Sequence, residues 1–376
     1  MPTPTPVELV PRIGEPVREI ETPAIVADLD IMEANMARYD RIAAEHDVNL
    51  RSHIKTHKIP DIAHRQVALS TGNGILCQSL GEVEVMAQNG IEDIYLSYMV
   101  VQPTKLDRLL WLSEKLPAFA TTVDCRGNVD PLQAAAAERG VTVDVVLELD
   151  IGMGRVGATL DEIAEFGEYV AKQDNLNVTG LMCFEGHVKK GLETRDELEA
   201  ACLEAMDEVA DGVERLEEAG IPIDDVKVGS TGTSRFSAKH DIVTEINPGM
   251  YAFNDANVMA LPIGVGSEDC ALRILTSVIS TPAPDRVIVD GGSKTISMDT
   301  STAPAAVGRD DLEYTNYSEE HGWIDAEPGH GLSVGDRLTF IAPHVCTTIN
   351  QHDTLIGVRD GVVEEVWSVQ ARGKVR

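Results

Sequence analysis

The sequence predicts an α/β protein: a (β/α)8 barrel followed by a smaller antiparallel β domain. Three observations carry that expectation. From residue 22 onward short apolar runs alternate with stretches of helical spacing, a pattern that argues for a parallel sheet with helices around it. After residue 262 the helical periods stop, and short strands follow one another between Gly, Pro and Asp turns. Hydrophobic residues make up 43% of the 376 residues, enough for one large core and a second, smaller one.

Taken in order, "AIVADLD" (24–30) reads as the strand that opens the barrel. "IMEANMARYDRIAAEHD" (31–47) has helical spacing with its charges on one face. "NLRSHIKTH" is the next strand and its exit, and "GILCQS" (74–79) precedes "LGEVEVMAQNG", where Gly90 suits a helix stop. "DIYLSYM" (93–99), "FATTVD" (119–124), "VDVVLELD" (143–150) and "VTGLMCFEG" (178–186) are each followed by a helical stretch. "DDVKVGSTGT" (224–233) and "EINPGMY" (245–251) complete the series. A repeat of this kind across about 240 residues fits a closed barrel; an open doubly wound sheet is the alternative, but no GxGxxG opens the first unit. The expected division is residues 1–21 as a Pro-rich segment packing on the β domain, 22–262 as the barrel, and 263–376 as the β domain. Within the last, "LRILTSVIST", "DRVIVDGG", "DRLTFIAP", "DTLIGVRDG" and "VVEEVWSV" are the strands.

Composition excludes several classes of partner. The formal net charge is −31 and the pI near 4.6, so nucleic acid and anionic membranes are repelled. No apolar run reaches the ~18 residues a membrane span needs, and the N-terminus lacks a basic-then-apolar leader, so a cytoplasmic enzyme is expected. Lysine is scarce, 11 against 20 Arg, and aromatics are only 4%. An acidic, lysine-poor surface suits concentrated salt, where repulsion is screened, and a halophilic source is expected. The six cysteines are dispersed without a CxxC, as reduced thiols are; five read as small core residues and Cys346 stands apart.

Candidate chemistry falls where strands end and loops begin. "RSHIKTHKIP" (51–60) gathers Arg51, His53, Lys55, His57 and Lys58 in a chain poor in lysine. An amine becomes a Schiff-base nucleophile when desolvation or neighbouring cations lower its pKa, and these neighbours suit Lys55. "GSTGTS" (229–234) offers glycines, backbone N–H groups and hydroxyls that can cradle a phosphate, and taken alone it is also a polar turn. In "APHVCTTINQHD" (342–353) His344 and Cys346 are two apart, expected on one face of a strand. Imidazole and thiolate together suit a borderline-soft divalent ion, zinc first, with water or substrate completing the coordination. A buried Cys beside a core His has the same spacing. His352 and Asp353 would stand behind such an ion.

These segments together are similar to the metal-activated D-threonine aldolase and D-serine dehydratase family, which has the alanine-racemase-like fold. "RSHIKTHK" resembles the family's lysine segment, "ETPAIVADLD" its opening strand and "LELDIGMGRVG" its Asp-x-Gly-x-Gly-Arg-x-Gly segment. "GSTGTS" and "NPGMYAFND" resemble its phosphate-binding loops, "PHVC" with "HD" its metal segment, and "HDTLIGVRDGVVEEVWSVQARGK" its ending. The resemblance runs from about residue 21 to 376. It implies that Lys55 holds pyridoxal 5'-phosphate and that Arg155 lies near the cofactor's phenolic oxygen. It implies that Gly229, Ser230, Thr231, Gly232 and Thr233, with Gly249 and Tyr251, hold the phosphate. It implies that His344 and Cys346 bind zinc, or manganese or magnesium, and that His57 approaches the substrate hydroxyl as a base. Three departures stand out. Asn247-Pro248-Gly249 replaces the Arg-Pro-Gly of alanine racemases, Phe184 replaces a Tyr of several relatives, and Cys346 matches dehydratases of D-serine where some aldolases have Asp.

The implied activity is a lyase acting on D-configured β-hydroxy amino acids, of the D-threonine aldolase type, in a homodimer that takes a small D-amino acid as its substrate. The alternative on the same residues is dehydration of D-serine or D-3-hydroxyaspartate. An amino-acid racemase would use no metal, and a non-catalytic cofactor-binding protein would lack the β domain.

Overall fold

The computed structural model describes residues 11–376, in two compact units. One comprises residues 11–35 together with Ala252–Arg372; the other is Met36–Tyr251 with Gly373–Arg376. No helix among the described residues is long and apolar enough to cross a membrane.

The second unit is a closed parallel barrel. Its eight strands are Asn49–His53, Gly72–Cys77, Asp93–Leu96, Ala118–Val123, Val143–Asp150, Leu176–Cys183, Val226–Val228 and Glu245–Ile246. Each pairs in parallel with the next, and the ring closes where Glu245 and Ile246 align with Asn49 and Leu50. Local chemistry sets the helices between them. Pro60 and Pro103 sit in the first turns of Pro60–Val67 and Pro103–Lys115, where a missing N–H costs nothing. Ser79 caps Leu80–Gln88, and Thr194 with Glu197 forms a capping box on Arg195–Glu218. Gly140, at φ +72°, ends Arg126–Arg139. Side chains two apart on a strand share a face. Leu76 and Tyr95 from one adjacent pair of strands pack into one cluster with Val146 and Met182 from another, which defines the barrel interior.

The other unit is a mostly antiparallel sheet. Leu272–Ala283 pairs with Arg286–Val289 and with Arg337–Ile341, and Thr354–Arg359 forms a hairpin with Val362–Ser368. The strand expected to open the barrel belongs here instead. Ala24–Asp28 runs antiparallel to Leu272–Ala283 and parallel to Thr354–Arg359. Its three central residues are all buried, as in a strand covered on both faces, so its pattern fits the middle of either kind of sheet. Its Val26 lies in a core with Ile20, Leu275, Ile356, Val358 and Val363. Residues 14–17 hydrogen-bond along the hairpin, with Gly14 N–H on Val363 O at 2.8 Å and Val17 N–H on Gly361 O at 2.9 Å. The part of the N-terminal segment before residue 11 lies outside the described residues. All six cysteines are free, but Cys125 is exposed at the head of a barrel helix rather than in the core.

Candidate active site

The basic stretch is sorted by its partners. Arg51 points into the barrel, where its Nε donates to Glu245 at 2.9 Å and its Nη1 to Asp93 at 2.7 Å. Lys227 reaches the other oxygen of Glu245 at 3.2 Å and also pairs with Asp225. Glu245 is fully buried; burial would raise its pKa, but Arg51 and Lys227 outweigh that and hold it below the ordinary carboxylate value. Lys58 pairs with the buried Glu82 at 2.5 Å. The charges of Arg51 and Lys58 are therefore met by carboxylates and do not act as free neighbours of Lys55.

Lys55 is half-buried in a short 3-10 turn, Ile54–Thr56, that follows the first barrel strand. This places it at the C-terminal mouth, where (β/α)8 enzymes build their sites. His53, two residues earlier, contacts Leu76 O at 3.0 Å and the Gln78 side chain at 3.0 Å. Burial first, and then the Lys55 charge, hold His53 well below its usual pKa, so it stays neutral beside the amine. The expectation for His57 was reach towards a substrate hydroxyl. Its ring has no exposed surface, its Nδ1 accepts from Ile59 N–H at 3.0 Å, and its Nε2 lies 3.1 Å from Gln66 Oε1. Burial pushes it down to about 4. In this geometry His57 fixes the turn after Lys55 as a neutral ring.

The Gly229–Thr233 loop follows the seventh strand. A Cβ on Gly229, at φ +106°, would lie 2.5 Å from Ser234 Oγ, so only glycine fits. The loop is braced from below: Gly229 N–H donates to the buried Glu185 at 3.0 Å, and Thr233 Oγ1 accepts from Ser230 N–H at 3.0 Å. The next loop joins it, with Met250 N–H donating to Thr231 Oγ1 at 2.9 Å. Gly249 lies against the lysine turn, where a Cβ would meet Thr56 Oγ1 at 3.1 Å. Tyr251 is fully buried with its hydroxyl 2.7 Å from Ser52 Oγ, so it props this corner from behind. Ser230, Thr231, Gly232 and Thr233 thus stand in one loop beside Gly249, whose strand lies between that loop's strand and the one that leads to Lys55. Arg155 stands elsewhere at the mouth. Its guanidinium lies over the Phe184 ring at 4.8 Å and 3.9 Å from Glu148.

Two carboxylates here were not singled out from the sequence. Glu148 is the inward acid of "VDVVLELD"; burial pushes its pKa up to about 7, partly offset by Arg155. An acid that alternates with apolar residues in the middle of the strand, away from the acids at its two ends, was the available signal. The second, Asp299, belongs to the other unit. There His344 and Cys346 sit where a strand gives way to the short helix Val345–Ile349, not along a strand as expected. The buried Asp255 accepts Val345 N–H at 2.9 Å and starts that helix. The pair still comes together: contact with Cys346, aided by Asp299, raises His344 to about 9. Asp299 meets His344 Nδ1 at 2.8 Å and is itself held by Ser297 at 2.9 Å and Thr347 at 3.0 Å. His352 and Asp353, expected behind the pair, are engaged by Thr295 O at 2.9 Å and Arg372 at 2.9 Å respectively.

The donors fit the implied groups to different extents. At the barrel mouth an amine, a glycine-dependent loop and a buried acceptor without a partner among the described residues, Asn247 Oδ1, suit a phosphorylated aldehyde cofactor. Among the described residues no three His, Cys, Asp or Glu side chains are grouped to hold a metal. His344 and Cys346 supply two donors of the right chemistry, and other oxygens must complete the shell.

Comparison with known proteins decides the affiliation. Residues 27–256 match the alanine racemase N-terminal domain family, and residues 271–358 match the serine dehydratase domain. A D-threonine aldolase of Arthrobacter sp. is 37% identical over 96% of this chain and 95% of its own. The chain belongs to the D-threonine aldolase and D-serine dehydratase family, with the alanine-racemase-like fold. Another family member, the 3-hydroxy-D-aspartate aldolase of Paracoccus denitrificans (strain Pd 1222), is 36% identical over 95% of this chain and 93% of its own. The crystal structure of a D-threonine aldolase from Filomicrobium marinum superposes with a TM-score of 0.91 at 34% identity, covering 97% of this chain and all of that one. Members of the family are lyases, and their fold implies dependence on pyridoxal phosphate.

Proposed function

We propose that the protein is a pyridoxal-phosphate- and metal-dependent lyase that splits D-threonine-type β-hydroxy amino acids into glycine and an aldehyde. The observation that carries this reading is the 37% identity to a D-threonine aldolase across 96% of the chain. Lys55 would hold the cofactor through its amine, and the loop Gly229–Thr233 with Gly249 would receive the phosphate. When bound, pyridoxal phosphate supplies an electron sink for the bond broken at Cα. His344 and Cys346 would hold a divalent ion, zinc by their softness, with manganese or magnesium as harder alternatives; its chemistry is that of a Lewis acid towards an oxygen.

The chain's own groups prepare these positions. Asp299 accepts from His344 Nδ1, which fixes the ring and leaves Nε2 as the ligand atom. Neutral His53 spares the Lys55 amine a second positive charge at its side. Glu185 and Thr233 hold the loop at Gly229 and Ser230 open in one conformation before any anion arrives. The Phe184 face carries Arg155, and Glu148 stands 3.9 Å from that guanidinium.

A second reading keeps the same residues and changes the bond broken. Loss of the β-hydroxyl would yield an α-keto acid and ammonia. The His-x-Cys pair and the serine dehydratase domain match over 271–358 favour it. Product analysis with D-threonine and D-serine, with and without added zinc or manganese, separates the two. Glycine and acetaldehyde from D-threonine, with none from L-threonine, is the expected outcome. Appearance of L-isomers from either substrate overturns the lyase reading, and equal turnover of L-threonine overturns the D-configured substrate.

A further inference from the structure

Asn247 ends the eighth barrel strand, two residues beyond Glu245 and therefore on the same inward side, one layer nearer the mouth. It is 3% exposed. Its Nδ2 donates to Glu245 Oε1 at 3.0 Å and to Arg51 O at 3.3 Å. Both partners can only accept, so the amide cannot be turned over without setting oxygen against oxygen. Its Oδ1 is consequently fixed as an acceptor, and it is buried with no hydrogen-bond partner among the described residues. Buried acceptors are nearly always paired, so an orphan of this kind calls for a completing group.

The surroundings say what that is. The backbone on either side of Asn247 is sewn to its neighbours: its N–H donates to Val228 O at 2.8 Å, and Pro248 O accepts from His53 N–H at 3.0 Å. Asn247 thus lies between the strand that carries the Gly229 loop and the one that leads to Lys55. Granting the cofactor reading above, on which this rests, the groups of pyridoxal phosphate can be taken one by one. The aldehyde carbon goes to Lys55, and the phosphate and phenolic oxygens are acceptors. The methyl group offers nothing to an acceptor. Only the ring nitrogen, when protonated, presents an N–H.

We propose that Asn247 Oδ1 accepts the N–H of the cofactor's pyridinium nitrogen and so keeps the ring protonated. The amide is suited to this because its own N–H is drawn by the Glu245 carboxylate, which leaves more negative charge on Oδ1. A protonated ring withdraws electrons more strongly than a neutral one, which serves either bond cleavage at Cα.

The test uses holoenzyme reconstituted with pyridoxal phosphate carrying nitrogen-15 in the ring. The expected result is a pyridinium-type shift in the wild type across the neutral range, moved towards the pyridine value in Asn247→Leu. A competing cofactor analogue with C–H in place of the ring nitrogen should bind the wild type about tenfold less well than the natural cofactor. A pyridine-type shift in the wild type overturns the proposal, as does an Asn247→Leu spectrum identical to the wild type's. If Asn247→Leu fails to fold, the wild-type shift and the analogue preference still decide. Failure of the wild type to retain label, or retention that survives Lys55→Ala unchanged, overturns the cofactor reading instead, and the proposal with it.

Discussion

Glu245→Gln tests the buried charge layer on which the barrel mouth rests. Glu245 has no exposed surface, and Arg51 and Lys227 beside it have side chains 7% and 5% exposed. Glutamine keeps the volume but removes the charge that compensates two buried cations. Its NH2 end must also face a donor, because Arg51 and Asn73 donate to one oxygen and Asn247 donates to the other. Breaking a buried pair costs about 3–5 kcal/mol. Here each cation keeps a second carboxylate, Asp93 and Asp225, both partly open to water, so the low end applies, about 3 kcal/mol. With a urea slope near 3 kcal/mol/M, the top of the range for small proteins and reasonable for a larger unit, the midpoint should fall by about 1 M. Urea unfolding followed by circular dichroism measures it. The acid side gives a second readout. The folded-state pKa of Glu245 is depressed, so its contribution is present above the ordinary value of 4.5 and is lost as pH falls below it. The variant should therefore lose less stability than the wild type on acidification. A midpoint within about 0.2 M of the wild type would mean that the layer is not the buried network described, and the reasoning fails.

Glu148→Gln should act with the opposite sign. The acid is raised from 4.5 to about 7, so the folded wild type binds the extra proton and its stability falls as pH rises through that window. The variant should flatten that slope in thermal melts, and an unchanged slope refutes the assignment. Asp299→Asn should weaken zinc binding by about 10- to 100-fold in calorimetry, the usual cost of losing a carboxylate behind a ligand His, and equal affinity would show that Asp299 does not orient His344. Lys55→Ala should lose the long-wavelength absorbance of lysine-bound cofactor; borohydride reduction that labels another lysine would remove Lys55 from its role. With 62 acidic against 31 basic residues, melting temperature should rise from low to molar salt as self-repulsion is screened, and a flat response counts against a halophilic origin.

What the sequence made legible follows from the range of the signal. Eight barrel strands stood out because each is a short apolar run bounded by helical spacing, a pattern that lies within about twenty residues. Ala24–Asp28 has the same local pattern, and only its partners, Leu272–Ala283 and Thr354–Arg359, place it in the other sheet. The same limit applies to charge. Arg51 looked like a neighbour able to tune Lys55, yet the carboxylate that claims it, Glu245, is 194 residues away in sequence. His344 and Cys346 were found by spacing, but the helix that begins between them depends on Asp255, 90 residues earlier, and the acid behind them on Asp299. Phe184 was visible as a missing hydroxyl, whereas its use as a platform for Arg155 needed the fold.

The gathering of basic groups in an acidic chain then has a physical account. A barrel interior is desolvated, so any charge placed there needs a partner of opposite sign. Arg51 and Lys227 are placed in the lower layer and matched by Glu245, Asp93 and Asp225. This arrangement does more than neutralise. Because Glu245 is pinned by two cations through one oxygen each, its Oε1 also receives the Asn247 amide in a single orientation. The orientation of Asn247 sets an acceptor at the mouth, beside the strand that leads to Lys55. A change in the lower layer should therefore reach the cofactor without touching it. Glu245→Gln should alter the ring-nitrogen shift of bound cofactor as well as the urea midpoint, whereas a variant of the Arg108–Glu84 pair, which joins two of the barrel's helices, should lower stability slightly and leave that shift alone. If both variants moved the shift equally, orientation by Glu245 would not be the cause, and the link from buried charge to cofactor would have to be abandoned.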